Sequence, residues 1–211
     1  MAALMGDVLT TARTYLNDDN ALQFPDPVLI PKVQEAHREL QTELWIIGSP
    51  LVRGQTAPLA YTTPATTLTA ALAGVTDFLC PTALYENAAG STIVQPGWTP
   101  MTEAIYIPFG AAMSATLIWW SWQQEVIQLA GSSANRAVIV QYRRLIPIPT
   151  VSTSPIGILF GESYLASRAA AITAGTVGNA EVYAAMTALS KENLAKVISA
   201  NRGQQKSPMK P

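Results

Sequence analysis

Between Ala104 and Gln124 the chain carries no charged residue, and three of its five tryptophans fall at positions 119, 120 and 122. No other stretch restricts the possible folds as strongly. As a single helix, a run of this length would span a bilayer. Pro108, Gly110, Ser114, Thr116 and Ser121 interrupt it, however, and the string LIWWSW alternates. Ile118, Trp120 and Trp122 fall on one side of an extended chain, and Leu117, Trp119 and Ser121 on the other. QQE then reads as a turn before EVIQLA, so a β-hairpin fits the pattern better than a spanning helix. A stacking platform for nucleic acid fits less well too, because such platforms interleave aromatics with Lys and Arg, and no basic residue lies between Arg53 and Arg136. The tryptophans are expected in the core of a small sheet, each hiding roughly 200 Å², about 5 kcal/mol as an upper bound.

The two ends of the chain have a different period. Leu4, Val8, Ala12, Tyr15 and Leu16 recur at helical spacing, and NDDN at 17–20 ends that run. Asp26 followed by Pro27 has the form of an N-cap with proline at the first helical position. Pro31 either loosens the first turn or marks where the regular helix begins. Val33, Ala36, Leu40, Leu44 and Ile47 make one apolar stripe, with Lys32, Glu35, Glu39 and Glu43 outside it. After LIPIPTVSTSP, Ile158, Leu165, Ala169 and Ile172 continue a helical stripe rich in alanine. Gly178 and Asn179 read as a C′ glycine followed directly by an N-cap, the signature of a helix hairpin, and Val182, Met186, Leu189, Asn193 and Val197 carry the last helix.

Residues 51–154 replace helix formers with Thr, Pro, Gly and aromatics, in short apolar runs separated by turn chemistry. The clearest strand is 137–143, with Val138, Val140 and Tyr142 on one face and Ile139, Gln141 and Arg143 on the other. The expectation is an α+β protein. Helix pairs from residues 1–50 and 155–203 form an antiparallel four-helix bundle, residues 51–154 an inserted antiparallel β-domain, and residues 204–211 a flexible C-terminal tail.

Chemistry is sparse. Cys80 is the only cysteine, which excludes an intrachain disulfide and a thiolate metal cluster. His37, the only histidine, is expected in a solvated or half-buried place on its helix, with no partner for metal ligation. GESYL at 161–165 resembles the start of an esterase elbow around Ser163, but Leu165 stands where a small residue is needed and no histidine follows His37, so Ser163 is read as a helix residue. Glu35, Glu39 and Glu43 read as a solvated face. MAALMGDVLTTARTYL lacks the basic start and apolar run of a signal peptide, which leaves cytoplasmic synthesis as the expectation.

Charge is unevenly placed. Four basic and eleven acidic side chains lie in residues 1–130, nine basic and three acidic in residues 131–211. With charged residues at only 13% of the chain, this favours self-association by head-to-tail contacts. Arg143 and Arg144 leave the strongest strand on opposite faces, so at most one lines a given surface, and one of them is expected at a subunit contact with the acidic N-terminal part.

ARTYLND, LIPKVQEAHRELQTEL, DFLCP, WSWQQEVIQLAGSSANRAVIVQYRRLIP and ESYLASRAAAITA follow one another over most of the chain. In that order they resemble the head-to-tail connector adaptors of tailed bacteriophages, including the tubular gatekeeper proteins of short-tailed phages. The resemblance implies a structural virion protein of the head–tail neck, made in the host cytoplasm, with no enzymatic reaction and no cofactor. Its copies, commonly twelve, would form a ring beneath the portal with helices outside and the β-insert toward the tail. The implied partners are the portal protein, a tail or nozzle protein and the chain itself, without a membrane. DNA would pass down the bore during genome ejection without sequence-specific binding, which a bore free of dense positive charge permits. The final helix and tail, with Arg202, Lys206, Met209 and Lys210, would dock in clefts of the portal ring. The alternatives are a carbohydrate- or receptor-binding virion protein acting through its sheet, and a membrane-associated helical protein.

Overall fold

The computed structural model describes residues 3–68, 72, 74–107 and 113–202, without the side chains of Asn201 and Arg202. These residues form an α+β protein with four helices and two sheets. They divide into two units, one containing the described residues up to Val52 and from Ile146 onward, the other Arg53–Leu145.

The first unit holds helices α1 (Met5–Tyr15), α2 (Asp26–Ile46), α3 (Gly161–Thr176) and α4 (Ala180–Arg202). Its core joins Met5, Val8 and Leu9 of α1, Val33, Leu40 and Leu44 of α2, Leu165 and Ala169 of α3 and Val197 of α4. Helix α3 touches the other three, and its alanines let them approach. Ala166, Ala169, Ala170, Ala171 and Ala174 are all buried, so this helix is apolar nearly all round. The connections are tied down by backbone and side-chain hydrogen bonds. The first amides of α1 donate to the segment before α3, Met5 N to Ser154 O at 2.9 Å and Gly6 N to Ser152 O at 2.7 Å. Between α1 and α2, the buried Asp18 carboxylate accepts the amides of Leu22, Gln23 and Phe24.

Several local readings change in this unit. Pro25, not Asp26, is the N-cap of α2, and the Asp26 carboxylate pairs with Arg13. The helix runs unbroken through Pro31, losing one hydrogen bond close to its start, while the amides of Val28 and Leu29 share the Pro25 carbonyl. Ile158 lies outside α3, because Phe160 takes a left-handed φ of 59° and the helix begins at Gly161. Ile158 still enters the core, from the incoming segment. His37 is fully buried rather than solvated. The α3–α4 turn follows its sequence signature: Gly178 has φ 76°, and Asn179 Oδ1 accepts the Val182 amide at 3.1 Å.

The second unit holds strands β1 (Arg53–Gln55), β2 (Leu59–Tyr61), β3 (Phe78–Ala88), β4 (Thr99–Pro100), β5 (Thr102–Glu103), β6 (Trp119–Gln123), β7 (Val126–Leu129) and β8 (Arg136–Arg144). One sheet has the order β1-β8-β3-β4, with β2 also on β8, and the other the order β5-β6-β7. Pairing is antiparallel except between β5 and β6, which run parallel. Inward residues of both sheets form one core: Leu84, Trp120, Ile127, Leu129, Val138 and Val140 are among its members. Trp122 and Tyr142 flank Phe78, with ring centroids 5.8 and 5.1 Å away.

The hairpin expected from LIWWSWQQEV is present, as β6 and β7 joined by Gln124 and Glu125. Its alternation holds only from Trp119, half exposed, to Trp120, buried; Ser121, on the face opposite Trp120, is buried as well, and the pattern also fails before the strand. Leu117 is buried and Ile118 exposed because the ladder begins only at Trp119, so the pleat does not govern them. No helix of the described residues is long and apolar enough to cross a membrane.

Candidate functional site

Strand β8 carries the arginines singled out in the sequence, and the structure separates their roles. Arg144 and Tyr142 point to one face, where both reach Asp77: Arg144 Nε lies 2.7 Å from Asp77 Oδ2, and the Tyr142 hydroxyl donates to Oδ1 at 2.9 Å. Burial, then the hydrogen bond to Asp77, raise the pKa of the Tyr142 phenol. Arg144 is thus committed within its own chain. Arg143 points the other way and is exposed. Across the ladder its partner on β1 is Arg53, also exposed, and on β3 it is Cys80. The next rung on that face is neutral, with Gln141 Nε2 donating to Gln55 Oε1 at 3.2 Å. Gly54 permits this geometry. Its Cα lies against the Tyr142 ring, and a Cβ there would sit 2.4 Å from Cζ.

At the other end of β8, Arg136 Nε donates to Glu86 Oε2 at 2.6 Å in a mostly buried cross-strand pair. This ties β3 to β8 and leaves neither charge available to a ligand.

In the helical unit a cleft of about 700 Å³ lies among Glu39, Glu43, Tyr164, Arg168, Thr187 and Lys191. The row Glu35, Glu39 and Glu43 is not uniformly solvated. Glu39 takes both Nε and a terminal nitrogen of Arg168, at 2.6 and 2.9 Å, in a bidentate pair. Burial, then the charge of Glu39, push the Tyr164 phenol up to about 12. Beside the cleft, Asn193 Nδ2 donates to the Ser163 carbonyl at 3.1 Å, and Ser163 sits in the first turn of α3. Arg168 and Glu39 satisfy each other, so this pair shapes the wall of the cleft and offers it no free charge.

Arg202 is the last residue of α4. Lys206, Met209 and Lys210 lie outside the described residues. The described residues hold no group of three or more His, Cys, Asp or Glu side chains placed to bind a metal ion. Sequence reasoning missed Arg53 and Asp77, the two residues that decide what Arg143 and Arg144 can do. Both are remote in sequence from β8, and the available signal was slight: Arg53 is the one base between Arg38 and Arg136.

In comparisons with known proteins, no protein-family model and no curated protein sequence matches the chain.

Proposed function

We propose that the chain is a head-to-tail adaptor of a tailed bacteriophage, a structural protein whose copies form a ring that docks on the portal and continues the DNA channel toward the tail. In this reading the four helices are an antiparallel bundle made by the two chain ends, and the β-unit is a domain inserted between them. The observation that carries it is the shared core of Leu40, Leu165 and Val197, which brings both ends of the chain into one helical unit while Arg53–Leu145 keep a core of their own. A protein built this way can present one unit to each of two neighbours in a stack.

The mechanism is docking rather than reaction. In this reading the final helix and tail, with Arg202, Lys206, Met209 and Lys210, would dock in clefts of the portal ring, and ordering such a segment costs about 2–5 kcal/mol of its gross interaction energy. A ring sums the remainder over many copies, so weak single contacts give a durable joint. Imaging the purified protein by negative stain, alone and with portal particles, is the test. Rings seated coaxially on portals are expected. Particles that stay bare at every protein concentration would refute the reading. Truncation after Gly203 is expected to abolish capture by portals while leaving the melting curve unchanged.

The second reading, a glycan- or receptor-binding virion protein, is favoured by Trp119, an indole left 46% exposed on β6. Stacking of a sugar on it would shift the tryptophan fluorescence on glycan titration, whereas the adaptor reading expects no shift.

A further inference from the structure

Two like charges stand directly opposite each other on neighbouring antiparallel strands, Arg53 on β1 and Arg143 on β8. Such a juxtaposition is unfavourable in isolation. Neither side chain forms an ion pair or a hydrogen bond with the described residues, and both are exposed. The adjacent rung, Gln55 with Gln141, brings no negative charge. Two guanidinium forks held side by side on a sheet are a receptor for a carboxylate.

The same unit displays a carboxylate at a cost. The β6–β7 hairpin turns through Gln124 and Glu125, with φ of 49° and 62°. Left-handed conformations at both central positions of a two-residue hairpin favour Asn-Gly, and longer side chains are strained there. Glu125 is exposed at the hairpin tip and has no ion pair among the described residues. A contact made elsewhere would account for backbone strain retained at an exposed tip, in a side chain with no ion pair among the described residues.

We infer that the Glu125 tip of one copy docks on the Arg53–Arg143 pair of the next copy. The inference rests on the ring reading above and supplies it with a specific joint. The two halves of the contact are different residues of one chain, and on the ring reading the contact therefore repeats head-to-tail from copy to copy until the ring closes. Charge selects the register: the tip is acidic, the receptor basic, and a tip-to-tip or receptor-to-receptor encounter is repelled.

The experiment uses full-length protein with portal particles and two variants, Glu125→Arg and the double variant Arg53→Glu/Arg143→Glu. Each alone is expected to need about tenfold or more protein for half-maximal ring formation. Mixed in equal amounts they regain wild-type assembly, because every joint then pairs opposite charges, and native mass spectrometry finds both species in one ring. Assembly of either variant at the wild-type concentration overturns the proposal, as does a mixture no better than its components. If melting curves show a variant unfolded, the milder Glu125→Gln and Arg143→Gln take its place; they are expected to weaken assembly and flatten its salt dependence, and unchanged values overturn the proposal. Retention of duplex DNA that is lost in the double arginine variant while rings persist assigns the pair to phosphate and also overturns it. Wild-type protein that forms no ring with portals refutes the ring reading itself, a pattern distinct from rings that form without this joint.

Discussion

Gln41 holds Ile146 by both of its backbone groups: Gln41 Nε2 donates to the Ile146 carbonyl at 2.9 Å, and Oε1 accepts the Ile146 amide at 3.1 Å. The other Nε2 proton points to His37 Nδ1, 3.0 Å away. Ile146 is where the chain rejoins the helical unit, so one side chain of α2 fixes the point of return.

Replacing Gln41 by Met keeps the volume and removes both bonds, leaving a buried N–H and C=O unpaired. Each such group costs about 1–3 kcal/mol, so Gln41→Met is expected to lower unfolding stability by about 2–6 kcal/mol in urea titration. A loss under 0.5 kcal/mol would show that the clamp is dispensable.

His37 gives the protein an acid limb. Burial, with a smaller contribution from the neighbouring Arg38 charge, pushes its pKa from the ordinary 6.5 down to about 4. The unfolded chain therefore takes up this proton first. The contribution is fully present above about pH 6.5, declines as the pH falls to about 4 and is constant below that, a total of roughly 3 kcal/mol. Protonation also puts a hydrogen on Nδ1, opposite the Gln41 amide donor. His37→Gln is expected to flatten the pH dependence of stability between pH 6.5 and 4, read from urea midpoints at half-unit steps.

Asp18 acts at lower pH. Desolvation opposes ionisation, but the amides of Phe24, Gln23 and Leu22 and the charge of Arg13 outweigh it and hold this carboxyl below the usual carboxylate value. A depressed folded value means that stability is complete above the unfolded pKa and is lost as the pH falls through the folded one. Asp18→Asn is expected to melt lower than wild type at neutral pH, and the gap should close as the pH is taken below the usual carboxylate range. A constant gap would contradict this account.

At Gly54 the prediction is steric. A methyl there must displace Tyr142, whose ring is held by Asp77 and Phe78, so Gly54→Ala is expected to cost about 1–3 kcal/mol. The cost should shrink in a Tyr142→Leu background, and a double-mutant cycle reads the coupling directly. Additive effects would mean that the ring is not what the methyl meets.

What the chain's pattern determined by itself was local. Val138, Val140 and Tyr142 share a face because the pleat has a period of two, whatever lies beyond the strand. Gly178 and Asn179 end one helix and start the next because a left-handed residue and a side-chain acceptor are needed at those two positions. Both are properties of a few consecutive residues and were legible without coordinates. The burial of His37 was not, since its neighbours in sequence include charges and the Gln41 side chain that meets its ring is held by a segment more than a hundred residues away. The arginine site was legible only by half. The sequence put Arg143 and Arg144 on opposite faces, but register alone set Arg53 opposite one, and a loop brought Asp77 to the other. Periodicity is an intrinsic property of a strand, whereas cross-strand partners depend on which remote segment pairs with it and in what alignment. Packing of the whole sheet decides that alignment, because a slip of one residue would turn Val138 and Val140 out of the core.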